Sequence, residues 1–120
     1  MKLFITGSSG FIGFHLSKKL LDKGHKVHGF DSMNNYYDVR LKKARYKILN
    51  KYKEFSFTKG KLESQKTLSN SILKFKPKII IHVAAQAGVR YSIEKPRIYL
   101  NSNISGTYNI IELAKKINIK

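Results

Sequence analysis

The chain of 120 residues contains no cysteine and no tryptophan, and only two of its residues are proline. Without cysteine it can form no disulfide framework, no thiolate metal site and no cysteine nucleophile. It also lacks any apolar run near the roughly 20 residues that a membrane-spanning helix needs, and residues 3–5 are too short a run for the core of a signal peptide. These absences predict a cytoplasmic protein, and the length predicts a single domain with one hydrophobic core.

Acidic residues are scarce as well, with 7 Asp and Glu against 24 Lys and Arg, for a formal net charge of +17. A surplus of this size raises the hypothesis of a nucleic-acid-binding protein. The basic residues are mostly lysines spread along the chain, so we favour a solvated basic surface over a nucleic-acid interface. We interpret Lys42, Lys43 and Arg45 in the same way, as an exposed helix face. The four histidines are not spaced as a metal site, and we predict none.

Apolar periodicity predicts four strands that alternate with helices. The predicted strands are residues 2–6, 26–30, 55–58 and 78–83, and the predicted helices are residues 10–23, 39–52, 64–75 and 96–116. Residues expected on the buried faces of the first two helices are Ile12, Leu16, Leu20, Leu41, Ala44, Ile48 and Leu49. The alternation predicts an α/β partial Rossmann fold, a parallel sheet of about four strands in the order 3-2-1-4 with helices on both faces.

Three glycines, Gly7, Gly10 and Gly13, stand between the first strand and the first helix. Gly7 allows a tight turn, Gly10 lets the backbone approach a pyrophosphate, and Gly13 lets the helix pack close to the sheet. The positive end of the helix dipole then favours anionic phosphates. Asp31 follows the second strand, where it can bind the adenosine ribose and where its charge favours NAD over NADP. The layout predicts a dinucleotide site, with a ligand-free βα turn as the alternative.

The segment that runs from His82 through Ala84-Ala85-Gln86 to Ser92 resembles the signature of nucleotide-sugar epimerases, within the extended short-chain dehydrogenase/reductase family. Three further stretches match that family, namely residues 6–13, 31–38 and 103–109. Together they resemble the UDP-glucuronate 4-epimerases, and the resemblance covers almost the whole chain.

The resemblance implies a tightly held NAD and an epimerisation through transient oxidation at C4 of a UDP-sugar. It implies that the pyrophosphate lies against the residues of the glycine turn and helix start, Gly7, Gly10, Phe11, Ile12 and Gly13. It also implies that the adenosine ribose binds Asp31 near Ser32 and Asn34, and that the adenine lies against Leu62. The resemblance further implies that four residues lie beside the cofactor, namely Ala84, Ala85, Gln86 and Asn103. It implies that Val89, Arg90 and Tyr91 face the sugar nucleotide. Lys61 and Ser32 stand where the family usually has an acid and an asparagine, a departure that concerns the adenosine end and not the fold.

The family's catalytic Ser or Thr and its Tyr-x-x-x-Lys pair come after the position of Lys120. Within the chain, Tyr91 and Lys95 have the required spacing, but they lie in a predicted loop over residues 84–95, and we do not assign them that role. We therefore expect residues 1–120 to be the N-terminal part of an NAD-binding Rossmann domain, without the substrate domain and inert alone.

Partners follow from the same expectation. The resemblance implies a nucleotide sugar as the full-length substrate and a last helix used in dimerisation. The fourth strand would expose an apolar edge, which favours a homodimer or a complementing C-terminal chain. Two alternatives stay open, a stand-alone NAD-binding module without catalysis and a basic nucleic-acid-binding domain. Steep salt dependence of DNA or RNA binding would mark the second alternative.

Overall fold

The structure, a computed structural model, describes all residues from 1 to 120. Strands and helices alternate along the chain as the periodicity predicts. The strands are β1 (Lys2–Thr6), β2 (Lys26–Asp31), β3 (Phe55–Lys59) and β4 (Ile79–His82). The helices are α1 (Phe11–Asp22), α2 (Val39–Asn50), α3 (Gln65–Phe75), α4 (Val89–Glu94), α5 (Pro96–Tyr99) and α6 (Gly106–Lys116), with a π-helical segment over Leu100–Ser105. None of these helices combines the length and the apolar character that crossing a membrane requires.

The four strands form one parallel sheet in the order β3-β2-β1-β4, which confirms the predicted topology. At its carboxyl end, Thr6 of β1 lies between Phe30 of β2 and His82 of β4. Because the carboxyl ends of parallel strands meet at one edge, the loops after β1, β2 and β4 converge there. This edge is where an open α/β sheet binds its ligands.

Two apolar clusters cover the two faces of the sheet, as expected for a doubly wound fold. On one face, α3 and α6 pack onto the sheet through Phe4, Phe30, Leu62, Leu68, Ile72, Ile110 and Leu113. On the other face, α1 and α2 pack through Ile5, Phe14, Leu21, Val27, Leu49 and Phe55. β1 therefore contributes alternate side chains to both clusters, as a central strand should.

The buried face of α1 differs from the one predicted. The helix buries Gly13, Phe14, Ser17 and Leu21, whereas Ile12 is 66% exposed and Leu16 and Leu20 are half-buried. The physical reason is that Gly13 must face the turn that precedes the helix, and this contact rotates the next residue, Phe14, into the core.

The prediction for α2 is also wrong at most positions. Only Leu49 of this helix is buried, while Leu41 and Ile48 are 50% and 40% exposed and Ala44 is exposed too. The inward face of α2 instead carries polar side chains at Lys42 and Arg45, and apolar ones only towards its end. The helix thus packs on the core by one end and lines the carboxyl edge of the sheet with the other.

The region after β4 is more helical than predicted. Residues 89–94, expected as loop, form α4. The predicted helix over residues 96–116 is present, but its middle widens into the π-helical segment. π-Helical turns inside α-helices occur frequently at functional sites, because the extra residue redirects nearby side chains.

β4 is the edge strand on its side of the sheet. Its isoleucines, Ile79, Ile80 and Ile81, are half-buried and not fully covered on both faces as their continuous apolar run predicts. On the outer side, the Ile80 N–H donates to the carbonyl of Lys120 at 2.6 Å.

Candidate functional site

The turn between β1 and α1 is the centre of the site. Gly7 has a φ of +75°, a backbone conformation that residues with a side chain rarely adopt. In addition, a Cβ at this position would lie 2.9 Å from the Cα of Ala84. The Gly7 N–H donates to the carbonyl of Phe30 at 2.7 Å, which fixes the turn to β2. The Gly10 N–H closes the turn by donating to the Gly7 carbonyl at 3.0 Å. Glycine at position 7 is therefore required both by its backbone angle and by the neighbouring loop.

The N-terminus of α1 is open to a ligand. Gly10 caps the helix in an extended conformation, and no side chain accepts hydrogen bonds from the first turn. The N–H groups that begin a helix have no acceptor within it. Phe11 and Ile12, the first two residues of the helix, point their side chains to solvent.

Gly13 holds α1 against the turn. A Cβ at this position would lie 2.6 Å from the carbonyl carbon of Gly7 and 3.1 Å from the Cα of Ser8. The hydroxyl of Ser9, also in the turn, is buried without a hydrogen-bond partner. The result is a cradle of backbone, with no room for a Cβ at positions 7 and 13 and with an uncapped helix start beside it, and it fits the pyrophosphate of the dinucleotide that the sequence predicts.

Asp31 is the acidic group of the site. Its carboxylate is 4% exposed and accepts from the Ser9 N–H at 3.0 Å and from the Met33 N–H at 2.8 Å. The first bond ties the end of β2 to the glycine turn, and the second shapes the loop that leaves β2. The structure therefore places Asp31 directly beside the glycine turn.

Two basic residues of α2 belong to the same site, and the prediction of a solvated face is wrong for both. Lys42, whose side chain is 12% exposed, pairs with Asp31 at 3.2 Å between Nζ and Oδ1. Arg45 donates to the Ser9 carbonyl at 3.2 Å. Residues three apart lie on the same face of a helix. Two basic residues at this spacing, after a strand that ends in an acid, are the sequence pattern from which Lys42 and Arg45 could have been predicted. Lys43 is exposed, as predicted.

The loop after β4 is anchored by Thr6. Its hydroxyl oxygen accepts from the N–H groups of Val83 and Ala84, both at 3.1 Å, and lies 2.7 Å from Nδ1 of His82. Because that oxygen already accepts twice, its proton is best donated to His82, which leaves the second imidazole nitrogen to donate to Thr107 at 2.9 Å. Burial lowers the pKa of His82, so the ring is neutral and can play this part.

The next part of this loop is held by Asn103, from the π-helical segment. Its amide oxygen accepts from the Gln86 N–H at 2.7 Å, and its amide nitrogen donates to the Gln86 carbonyl at 3.0 Å. Tyr99 donates its hydroxyl to the carbonyls of Ala87 and Gly88. Asn103 therefore holds the backbone of Gln86 through both polar atoms of its side-chain amide.

The remaining residues predicted for the cofactor site differ in their burial. Ala85 is exposed beside the buried Gln86, and Leu62 is 5% exposed and packed in the core. Ser32 is half-buried, while Asn34 is exposed and accepts from the Tyr36 N–H at 3.4 Å.

The residues predicted for the sugar-nucleotide side begin α4. Val89 is 84% exposed and Arg90 is exposed as well. The ring of Tyr91 packs against Tyr36, with 4.7 Å between ring centroids, so the loops after β2 and β4 touch. No three or more His, Asp or Glu side chains of the chain come together in a way that could hold a metal ion.

Comparison with known proteins agrees with this geometry. A family model described as GDP-mannose 4,6 dehydratase matches residues 4–120. The chain is 51% identical over 120 residues to Protein CapI of Staphylococcus aureus, covering 100% of this chain and 36% of that protein. It is 49% identical over 117 residues to a probable UDP-glucuronate 4-epimerase of Rhizobium meliloti, covering 98% of this chain and 34% of the relative. The chain thus spans about a third of the length of these curated relatives.

Two solved structures have the same fold over the whole chain. The UDP-glucose 4-epimerase of Thermus thermophilus, in complex with NAD, superposes with a TM-score of 0.83 at 27% identity and covers 100% of this chain and 35% of its own. The UDP-glucose 4-epimerase of Thermotoga maritima, with UDP-glucose, gives a TM-score of 0.84 at 28% identity, with 100% and 36% covered.

Proposed function

Because this chain belongs to the family of epimerases and dehydratases whose model is described as GDP-mannose 4,6 dehydratase, we propose that it is the NAD-binding part of a nucleotide-sugar epimerase. The observation that carries the proposal is the cradle formed by Gly7, Gly10 and Gly13, with Asp31 hydrogen-bonded to its backbone. The NAD complex of the Thermus thermophilus enzyme supports the choice of cofactor. The identity to the Rhizobium meliloti relative supports a substrate of the UDP-glucuronate kind.

When bound, NAD would supply reversible hydride transfer at C4 of the sugar. The chain's own residues would bind and orient the cofactor. The first N–H groups of α1 would hold the pyrophosphate, and Asp31 would accept hydrogen bonds from the adenosine ribose. The Ala84–Gln86 segment, fixed by Thr6 and Asn103, would lie beside the nicotinamide half.

The proton chemistry of epimerisation is a separate matter. Of the tyrosines, Tyr91 alone is followed four residues later by a lysine, Lys95. Its ring packs against Tyr36 and Tyr99, which leaves Tyr91 engaged in the contact between the two loops. We therefore propose that residues 1–120 bind NAD and do not epimerise a UDP-sugar by themselves. The Tyr-x-x-x-Lys segment of the family would have to be supplied by further chain or by a partner chain.

We also propose that the helical region after β4 supplies an association surface. Exposed apolar side chains follow one another every three or four residues along the π-helical segment and α6, a spacing that places them on one side. They are Leu100, Ile104, Tyr108 and Ile111, which are 45%, 63%, 61% and 53% exposed. A homodimer or a complementing C-terminal chain would cover this stripe.

NAD binding is tested by isothermal titration of the purified chain and of two variants that each convert one carboxylate to an amide. Asp31→Asn should weaken NAD binding at least about tenfold, because hydrogen bonds to a charged acceptor are worth roughly 1.5–3 kcal/mol. Glu54→Gln is the matched control, because Glu54 lies at the opposite edge of the sheet, where it pairs with Lys26 at 3.6 Å. No NAD binding at millimolar concentration, or equal affinities of the two variants, would contradict the proposal.

The epimerase assignment needs a second experiment. Residues 1–120 are joined to the remaining two thirds of the Rhizobium meliloti relative, and the chimera is assayed for interconversion of UDP-glucuronate and its C4 epimer. We expect activity in the chimera and none in residues 1–120 alone. A folded, NAD-loaded chimera without activity would favour a binding module that takes no part in epimerisation.

A further inference from the structure

The Asp31 carboxylate is neutralised before any ligand arrives. Its Oδ1 accepts from the Met33 N–H and from Nζ of Lys42, and its Oδ2 accepts from the Ser9 N–H. Both members of the ion pair are largely buried, with 4% of the aspartate side chain and 12% of the lysine side chain exposed. A group entering the ribose site therefore meets an ion pair and not an isolated negative charge.

Lys42 has donors to spare. An ammonium carries three N–H donors, and in the structure one of them has a partner, the Asp31 carboxylate. A largely buried ammonium gains free energy from every further acceptor that it meets, because its water has been removed. An oxygen at the 2′ position of the ribose would be such an acceptor, and a phosphate offers three of them with negative charge.

The wider surroundings of Asp31 add positive charge. Arg45 reaches the glycine turn from the same face of α2. Lys59 is the register partner of Asp31 on β3, and Lys61 follows Gly60, whose N–H donates to the Asp31 carbonyl. The next acidic residue nearest along the chain, Asp38, forms an ion pair with Arg40. The site around the ribose therefore has a surplus of basic groups.

We propose that Lys42 helps determine which dinucleotide the adenosine-ribose site prefers. By pairing with Asp31, Lys42 weakens the repulsion that the aspartate alone would exert on a 2′-phosphate. The inference rests on the dinucleotide site proposed above and goes beyond it. The Lys42–Asp31 pair then sets how strongly the site prefers NAD to NADP.

The test measures the dissociation constants of NAD and NADP, at about 0.15 M salt, for the wild type and for Lys42→Met, Lys42→Arg and Lys43→Met. The ratio of the NADP constant to the NAD constant should rise at least about tenfold in Lys42→Met, because a desolvated charge pair with the 2′-phosphate is lost. Lys42→Arg keeps the charge and should stay within about threefold of the wild type. Lys43→Met removes the same charge from an exposed neighbour and should leave the ratio unchanged.

Each outcome decides between the two proposals. If the wild type binds neither dinucleotide, the proposed function fails together with this inference. If it binds NAD while millimolar NADP does not displace it, or if Lys42→Met keeps the wild-type ratio, the role of Lys42 alone is overturned. Circular dichroism checks that Lys42→Met folds. Should it not fold, a Lys42→Gln variant that folds and keeps the wild-type ratio would overturn the role equally.

Discussion

Replacing Gly13 by alanine should push α1 away from the glycine turn. The added Cβ would overlap the carbonyl oxygen of Gly7 and lie 2.6 Å from its carbonyl carbon, where non-bonded carbon atoms prefer about 3.5–4.0 Å. The obstacle is backbone on both sides, so no rotamer change can relieve the overlap. The helix or the turn must therefore move by about 1 Å.

Two opposing terms set the size of the effect. Alanine is a better helix former than glycine by about 1 kcal/mol, which would stabilise the variant. Overpacking in a tightly packed region costs about 1–3 kcal/mol, and a backbone obstacle places this position at or above the top of that range. We expect a net loss of about 2 kcal/mol in the free energy of unfolding, which corresponds to a fall of about 8 °C in Tm for a domain of this size.

Urea unfolding followed by circular dichroism at the helix band measures this loss, and titration with NAD measures its effect on the site. Gly10→Ala is the matched control, because a Cβ there would approach a single atom, the Gly7 carbonyl oxygen, at 3.3 Å. Its φ of −77° is one that alanine adopts freely. If Gly13→Ala proves as stable as Gly10→Ala, then the Gly13 contact does not hold α1 to the turn, and the physical reason given for the cradle is refuted.

Two further predictions concern buried polar groups. Thr6→Val should lower the free energy of unfolding, measured in urea, by about 2 kcal/mol, because the N–H groups of Val83 and Ala84 lose the hydroxyl oxygen that accepts from both. An unchanged urea midpoint would show that these N–H groups find another acceptor. Burial lowers the pKa of His28 from 6.5 to about 4, so the unfolded chain binds more protons between these values, and stability is lost as the pH falls below about 6.5. We expect the free energy of unfolding to be about 2 kcal/mol lower at pH 5 than at pH 7, with the loss reduced in His28→Gln and kept in the exposed His15→Gln; equal losses in both variants would contradict this assignment.

The strand order and the glycine turn could be predicted from local signals. Alternation of strands and helices indicates a parallel sheet, and Gly7, Gly10 and Gly13 carry their spacing in the sequence itself. The position of Asp31 beside the turn follows once β1 and β2 are neighbours. These features need no knowledge of which side chains meet at long range.

The faces of the first two helices could not be predicted in the same way. In α1, apolar residues occupy two adjacent stripes, and the contact between Gly13 and Gly7 decides between Ile12 and Phe14. In α2, a search for apolar residues overlooks Lys42, whose burial depends on a carboxylate from another element. Apolar periodicity predicts the face of a helix that packs in the hydrophobic core. It does not predict a buried charged side chain, because such a side chain needs a partner of opposite charge from another element.

The central place of β1 in the sheet has a consequence for how the chain acquires its structure. β1 is made before the other three strands of the sheet, yet its second neighbour, β4, consists of residues 79–82. Until that segment has been synthesised, β1 can pair only with β2, and one edge carrying Leu3, Phe4 and Ile5 stays open. Non-local pairing of this kind slows folding and leaves an adhesive strand edge exposed meanwhile. During synthesis, one edge of β1 therefore stays available to other chains until β4 has been made and can cover it.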